Sequence, residues 1–315
     1  MWNTIVHIFP YAIALAMPLL ITSLGGLYSE RSGVVNIGLE GLMVVGGFAS
    51  AAATVGLEPS LGGAAIWVSL VVAMVIGALF SVLHAFASIN LNANQVISGT
   101  AINMIAGAVT VFLARTITGS GNIQLTNGIP RFDVPFLVDI PLLGKLFFYQ
   151  TYGTTWLILA ILALGAFVLY KTAFGLRLRA CGEHPHAADA AGINVFKVRY
   201  AAVMISGALA GLGGATILVT YSGEFSGSVA GMGFLALAAL IFGQWKPLGV
   251  LGATFFFGFA ATLANASQAE PALQAIPEVI LKVFPYVVTL LALIFFSKST
   301  QAPRAAGEPF EKGKR

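Results

Sequence analysis

Few side chains in this 315-residue sequence could act directly on a solute, and they form three small groups. Glu40 lies inside an apolar stretch, where a carboxylate either lines a polar path or caps the N–H groups at a helix start. Asn94 and Asn103 carry uncharged amides that can hydrogen-bond a polar solute or a neighbouring helix. His184 and His186 could hold a metal ion, although two loop histidines are usually solvated. These residue types favour binding over catalysis.

The sequence lacks the motifs of the common enzyme classes. It contains no phosphate-binding Gly-x4-Gly-Lys-Ser/Thr loop, no His-Glu-x-x-His and no Gly-x-Ser-x-Gly. Arginine repeats typical of voltage sensors and a chain of intramembrane carboxylates for proton relay are also missing. Its single cysteine, Cys181, excludes an internal disulfide and a multi-cysteine metal site. We therefore expect no catalytic residue, cofactor or metal in this chain.

The composition is that of a membrane protein. Hydrophobic residues make up 58% of the chain and charged residues only 9%, with a mean hydropathy of +0.90. An ordinary soluble domain carries about 25% charged residues, so lipid must solvate much of this surface. The fold class expected is an all-α, polytopic transmembrane helical bundle of eight to ten spans. The N-terminus lacks a basic region, which indicates a retained first span instead of a signal peptide.

Nine apolar stretches are long enough, or nearly so, to cross a bilayer. The second and seventh are short and interrupted by glycine, so they can be broken or re-entrant helices covered by other protein. The predicted spans are 5–27, 38–56, 64–89, 94–115, 152–170, 200–221, 229–243, 247–268 and 284–297.

Basic residues predict the orientation, because they collect on the cytoplasmic side of a membrane. They cluster between the fifth and sixth spans and again after the ninth. The N-terminus is then outside, the C-terminus is cytoplasmic, and the loop at 116–151 is extracytoplasmic. We expect a bacterial inner-membrane protein with a transmembrane domain at 1–298 and a disordered basic tail at 299–315. The basic residues of the two clusters are Lys171, Arg177, Arg179, Lys197 and Arg199, and Lys298, Arg304, Lys312, Lys314 and Arg315.

Two further segments have distinctive patterns. In the cytoplasmic loop at 173–197, Pro185 can start a short helix and Gly192 can end it at a left-handed position. Such a helix is a compact knob that fits a groove on a partner, unless the segment is an ordinary loop between spans. The stretch at 206–214 places small residues four apart on one helix face, which predicts close helix packing.

Three motifs together resemble one protein family. The sequence RACGEHPHAADAAGI at 179–193 is similar to the coupling loop of permease subunits of ATP-binding-cassette importers. The sequences ERSGVVNIGLEG at 30–41 and NQVISGTAIN at 94–103 resemble the nucleoside and simple-sugar members of that family. The branch concerned handles branched-chain amino acids, simple sugars and purine nucleosides. With the spans that follow, the resemblance covers nearly the whole chain.

The resemblance implies a passive gate that is driven by other subunits. ATP and Mg²⁺ would be bound by a separate ATP-binding cassette subunit, and an extracytoplasmic lipoprotein would deliver the solute. A second permease subunit, a related but different chain, would complete the path. Spans two, four and six would line it, with Glu40, Asn94 and Asn103 as candidate residues. Contact with the ATPase would fall on Gly182, Glu183, Pro185, Ala187, Ala188, Ala191, Gly192 and Ile193.

Several alternatives remain open at this point. A nucleoside is the first choice of solute, followed by a simple sugar and a branched-chain amino acid. An ion-coupled secondary transporter would need no ATPase; scarce intramembrane carboxylates argue against proton coupling but not against sodium coupling. An intramembrane enzyme would need clustered acids or histidines at one membrane face, and only the 183–189 segment approaches this.

Overall fold

The computed structural model of the protein describes residues 2–266, 279–280, 283–284, 287 and 301–312. Seven helical segments within them are long and apolar enough to cross a membrane, which confirms the polytopic helical bundle. In chain order the helices are α1 (Trp2–Arg31), α2 (Leu39–Leu61), α3 (Ala64–Ala85), α4 (Gln95–Thr118), α5 (Gly153–Lys171), α6 (Ala173–Glu183), α7 (Pro185–Ala190), α8 (Val195–Ile217), α9 (Met232–Phe242) and α10 (Pro247–Ala266). Helices α3 and α8 continue into wider π-helical turns at Phe86–Asn90 and Leu218–Ser222.

The predicted spans agree with these helices, with two differences. Helix α2 is continuous, and the expected break lies before it, at residues 32–38. The seventh span is a short helix: the turn at 229–231 precedes the 11 residues of α9. Helix α6 was not expected as a separate element. The predicted ninth span, 284–297, lies almost wholly outside the described residues.

Helix α8 lies at the centre of the bundle, between α1, α2 and α3. Its small-residue face packs as predicted: a Cβ on Gly214 would overlap the carbonyl oxygen of Met43, and one on Gly207 would overlap that of Gly77. A Cβ on Gly211 would likewise overlap the carbonyl oxygen of Ala73. Backbones this close gain dispersion energy and leave no room for a side chain.

Short strands close the end of the bundle where α1 begins. Strand β1 (Ile123–Gln124) pairs with β4 (Glu224–Phe225), and β2 (Arg131–Phe132) pairs with β3 (Thr151–Tyr152). The Arg131 guanidinium donates to the Tyr152 hydroxyl at 2.8 Å and lies 4.2 Å from the ring centre of Tyr11. This contact anchors the loop at 116–151 to α1.

The tail returns to the opposite end, beside α6 and α7. The N–H of Ala305 donates to the Gly182 carbonyl at 2.9 Å, and the N–H of Gly307 donates to the Gly33 carbonyl at 3.1 Å. Phe310 is only 4% exposed. Residues 301–312 are therefore packed where we expected disorder, because small residues let the backbone approach and Phe310 finds an apolar site. Arg304 and Lys312, the described members of the second basic cluster, lie at the same end as the first cluster.

Candidate functional site

Helix α7 forms the knob that the sequence predicts. His184 Nδ1 accepts the N–H of Ala187 at 3.1 Å, and Pro185 occupies the first helical position. Gly192 has φ +80° and donates to the Asp189 carbonyl, while Ile193 donates to that of Ala188. This pair of hydrogen bonds is the Schellman ending that glycine favours. The predicted helix start and end are confirmed.

The candidate coupling residues divide into an inner and an outer set. Gly182, Pro185 and Ala188 are buried, and a Cβ on Gly182 would overlap the Arg31 carbonyl oxygen. Ile193 is partly buried. The inner residues attach the knob to the bundle and the outer ones are free to meet a partner. The outer residues are Glu183, Ala187, Ala191 and Gly192.

Arg31 connects this knob to the turn between α9 and α10. Its guanidinium donates to the Trp245 carbonyl at 2.9 and 3.2 Å and lies 3.8 Å from the Glu183 carboxylate. The Trp245 indole N–H in turn donates to the Glu30 carboxylate. Because the Glu183 side chain is about half exposed, its ion pair with Arg31 contributes little, and the close packing of Gly182 on the Arg31 backbone carbonyl carries the attachment of the knob.

Polar side chains from other helices hold the break at residues 32–38. Gln95 Oε1 accepts the N–H of Val35 at 2.7 Å, and His84 Nε2 lies 3.0 Å from the Val35 carbonyl. Asn36 Nδ2 donates to the Ser206 hydroxyl at 3.0 Å. Backbone outside a helix must find such partners when it lies within a membrane bundle.

Asn103 and Asn94 both bind backbone groups. Asn103 accepts the N–H of Gly41 at 2.7 Å and donates to the Ile37 carbonyl at 3.1 Å, so it bonds to a neighbouring helix, one of the two roles considered for it. Asn94 caps α4 by accepting the N–H groups of Val96 and Ile97 at 2.9 and 3.2 Å. Asn94 also lines a mostly apolar groove of about 490 Å³ between α3 and α4.

Glu40 caps a helix other than its own. Its two oxygens accept the N–H groups of Gly231 and Gly233 at 2.8 and 2.6 Å, at the start of α9. The positive end of that helix therefore stabilises the carboxylate, as one of our two interpretations proposed. Asn103 lies close to Glu40, because it bonds to the adjacent Gly41, but the polar atoms of the two side chains are engaged with different backbone groups.

Arg199 has a buried structural role that the sequence analysis did not identify. We assigned it to the basic loop cluster, but it lies in α8 and is only 1% exposed. It donates to the carbonyls of Ser32 and Glu308, both at 3.1 Å. Within the described part of the chain its Nη2 has no hydrogen-bond partner. In the sequence Arg199 directly precedes the predicted span at 200–221, and nothing else there signals this role.

A metal site at His184 and His186 gains no support from the geometry. The Nδ1 atom of His184 is used in the α7 cap, and the two ring centres lie 6.4 Å apart. No group of three possible ligands comes together among the residues that the structure describes.

Known proteins resemble this chain across nearly its full length. It is 49% identical over 313 residues to a guanosine ABC transporter permease protein of Bacillus subtilis, covering 98% of this chain and 97% of the relative. A nucleoside ABC transporter permease protein of Lactococcus lactis is 42% identical over 313 residues, with 99% of each chain covered. A second guanosine ABC transporter permease protein of Bacillus subtilis is 27% identical over 273 residues, which is 82% of this chain and 74% of the relative.

The family match covers most of the chain. The family described as "Branched-chain amino acid transport system / permease component" matches residues 8–293. That range includes the break before α2, the knob at α7 and the glycine-rich core of α8. The chain therefore belongs to the branched-chain amino acid transport system permease family.

Proposed function

We propose that this chain is a permease subunit of an ATP-binding-cassette importer and forms part of the path for a nucleoside, most readily a purine nucleoside. The observation that carries the proposal is the 49% identity, over 98% of the chain, to a guanosine ABC transporter permease protein. The relative from Lactococcus lactis, named for nucleosides, supports the same solute class.

The geometry of α7 supports a coupling role. Its outer residues form a small, rigid knob, and its inner residues attach to the bundle through Gly182 and Arg31. A partner that pushes or pulls such a knob moves the helices behind it, as an ATPase dimer does when it closes around nucleotide. The sequence offers no ATP site of its own, so a partner subunit hydrolyses ATP. The basic residues at this end support a cytoplasmic location for the knob and the tail, and an external N-terminus.

The partners follow from the same reasoning. Two guanosine permeases from one organism resemble this chain to different degrees, which supports pairing with a related but different permease. A solute-binding lipoprotein would dock at the opposite end, near β1 to β4. Glu40, Asn94 and Asn103 belong to the framework of the path, because each already holds backbone atoms of α2, α4 or α9.

Reconstitution tests the function directly. The chain would be assembled in proteoliposomes with its second permease, its ATPase and its binding protein. We expect uptake of radiolabelled guanosine that requires ATP and is competed by adenosine. A variant ATPase that binds but does not hydrolyse ATP is the control.

Other outcomes would identify other functions. Competition by glucose or leucine, but not by nucleosides, would indicate a sugar or amino-acid permease of the same family. Uptake by this chain alone, driven by a sodium gradient and insensitive to ATP, would indicate a secondary transporter and would refute the proposal.

A further inference from the structure

Residues 301–312, here called the strap, contact five separate parts of the same bundle end. The N–H of Gln301 donates to Gln244 Oε1 at 3.2 Å, in the turn between α9 and α10. Further along, Ala305 bonds to Gly182 in α6 and Gly307 to Gly33 in the break before α2. The strap therefore links the turn between α9 and α10 to α6 and to the break before α2.

Side chains reinforce this crossing at the knob. The Phe310 ring lies 5.1 Å from the ring of His186 and 5.7 Å from that of Phe196. Phe310 is buried together with Ala188 and Cys181, the inner residues of α6 and α7. The apolar core beneath the knob is thus completed by the tail of the chain.

The buried guanidinium of Arg199 fixes the other side of the strap. It donates to the Glu308 carbonyl and to the Ser32 carbonyl, so the same side chain holds the strap and the break. Gly33 has φ +96°, and a Cβ there would meet both Arg199 and the Ala305 carbonyl. Backbone at Gly33 can approach the strap this closely only because no side chain intervenes.

The end of the strap also borders the outer surface of the knob. Lys312 lines a depression of about 260 Å³ together with Asp189, Gly192 and Ile193. The depression is continuous with the exposed face of α7, which under the proposed function meets the ATPase. A subunit that docks on α7 therefore reaches the strap as well.

We propose that the strap is a second coupling element: it forms part of the docking surface for the ATP-binding subunit and ties α7 to the break before α2. This inference rests on the proposed function. Movement of the knob is then passed to the start of α2 through the strap as well as through α8. Without the strap, the knob keeps its own helix and its packing of Gly182 on Arg31, but it loses the hydrogen-bonded link to Gly33 that runs through Ala305 and Gly307.

Truncation of the assembled transporter tests the inference. A chain that ends at Thr300 lacks the strap, and a chain that ends at Lys312 is the matched control, which keeps it. Guanosine moved per ATP hydrolysed should fall about fivefold or more in the first variant and stay unchanged in the second. A normally inserted variant ending at Thr300 with an unchanged ratio would overturn the proposal, even if its thermal stability drops.

A point substitution covers the case in which the truncated chain does not insert. Phe310→Ala removes the contact beneath α7, whereas Phe167→Ala removes an exposed ring on α5, outside the strap and the knob. The first should lower the ratio of solute to ATP and the second should not. Equal ratios in the two variants count against the proposal.

Hydrogen exchange gives an answer that is independent of transport. The amides of Ala305 and Gly307 should exchange slowly in the intact transporter, because both are hydrogen-bonded. If these amides exchange as fast as those of an unstructured peptide, the strap is not packed on the bundle. That outcome refutes the proposal, whichever solute is transported. If the full-length complex moves a sugar and no nucleoside, the proposed solute is wrong, but the same ratio can be measured with that sugar.

Discussion

The Glu40 carboxylate accepts the backbone N–H of Gly233 at 2.6 Å, although the two residues lie 193 positions apart. This bond sets the start of α9 against the start of α2. Helix α9 follows a non-helical stretch inside the bundle, so its first N–H groups would otherwise lack partners. The position of the half-helix therefore depends on one acidic side chain of a remote segment.

Glu40→Gln should destabilise the protein. The amide keeps one acceptor oxygen but loses the charge and the second acceptor, at a cost of about 1.5–3 kcal/mol in free energy of unfolding. Thermal denaturation in detergent measures the change. Glu58→Gln is the matched control, because Glu58 is an exposed acceptor for Asn127. Equal melting temperatures for both variants would show that the α9 cap is dispensable.

Asn103→Ala should loosen the break before α2. The substitution leaves the N–H of Gly41 and the carbonyl of Ile37 without their partner, and each such group costs about 1–3 kcal/mol when buried. Thr116→Ala on the same helix is the control, since that exposed hydroxyl bonds only within α4. We would measure the fraction of monodisperse protein after heating; identical losses in both variants would contradict this role.

Gly214→Ala should prevent correct packing of α8. Its added methyl group would overlap the Met43 carbonyl, so α2 and α8 would have to separate. Gly107→Ala adds the same methyl group on α4 where nothing lies within 4 Å, and it should be neutral or stabilise by about 1 kcal/mol. The yield of folded protein from membranes distinguishes them. A normal yield of Gly214→Ala would mean that the helices are less tightly packed.

Gly192→Trp should uncouple ATP hydrolysis from uptake while the protein stays inserted. Gly192 is exposed with φ +80°, so a bulky residue strains the helix end and obstructs the face of α7 that would meet the ATPase. Gly192→Asn is the control, because asparagine tolerates this conformation better than other side chains. Guanosine uptake and ATPase activity of the reconstituted complex provide the readout. Normal uptake by Gly192→Trp would exclude α7 from coupling.

Cys181 should be unreactive in the native protein. Burial raises the pKa of its thiol, and the nearby Arg199 guanidinium only partly opposes this shift. The reactive thiolate is therefore scarce near neutral pH and becomes abundant only above the usual range of a cysteine. Maleimide labelling before and after denaturation checks this, with Glu183→Cys as an exposed comparison. Rapid native labelling of Cys181 at pH 7 would show that the core beneath α7 opens.

Local signals in the sequence were sufficient for several elements. Pro185 and Gly192 act on their own backbone, so the start and end of α7 could be predicted from neighbouring residues alone. Long apolar stretches likewise revealed seven of the spans. The small-residue face at 206–214 predicted close packing, because tight contact requires only that side chains be absent.

Other features depend on partners far along the chain. Glu40 looks the same in sequence whether it caps α2 or α9, and only the fold shows that Gly231 and Gly233 lie beside it. In the sequence alone, Arg199 cannot be distinguished from the other basic residues of the loop. Its hydrogen bonds to the Ser32 and Glu308 carbonyls are seen only in the fold. Phe310 lies in a polar tail, so its buried site could not be inferred from local composition.

The tight glycine contacts of α8 have a consequence for how the bundle can change shape. Because backbone meets backbone at Gly77, Gly207 and Gly214, neither α2 nor α3 can slide along α8 without steric overlap. These three helices must travel as one rigid body. Under the proposed function, the hinge is therefore to be sought at their periphery, for example at α5, where Gly165 meets only the side chains of Leu24 and Tyr28.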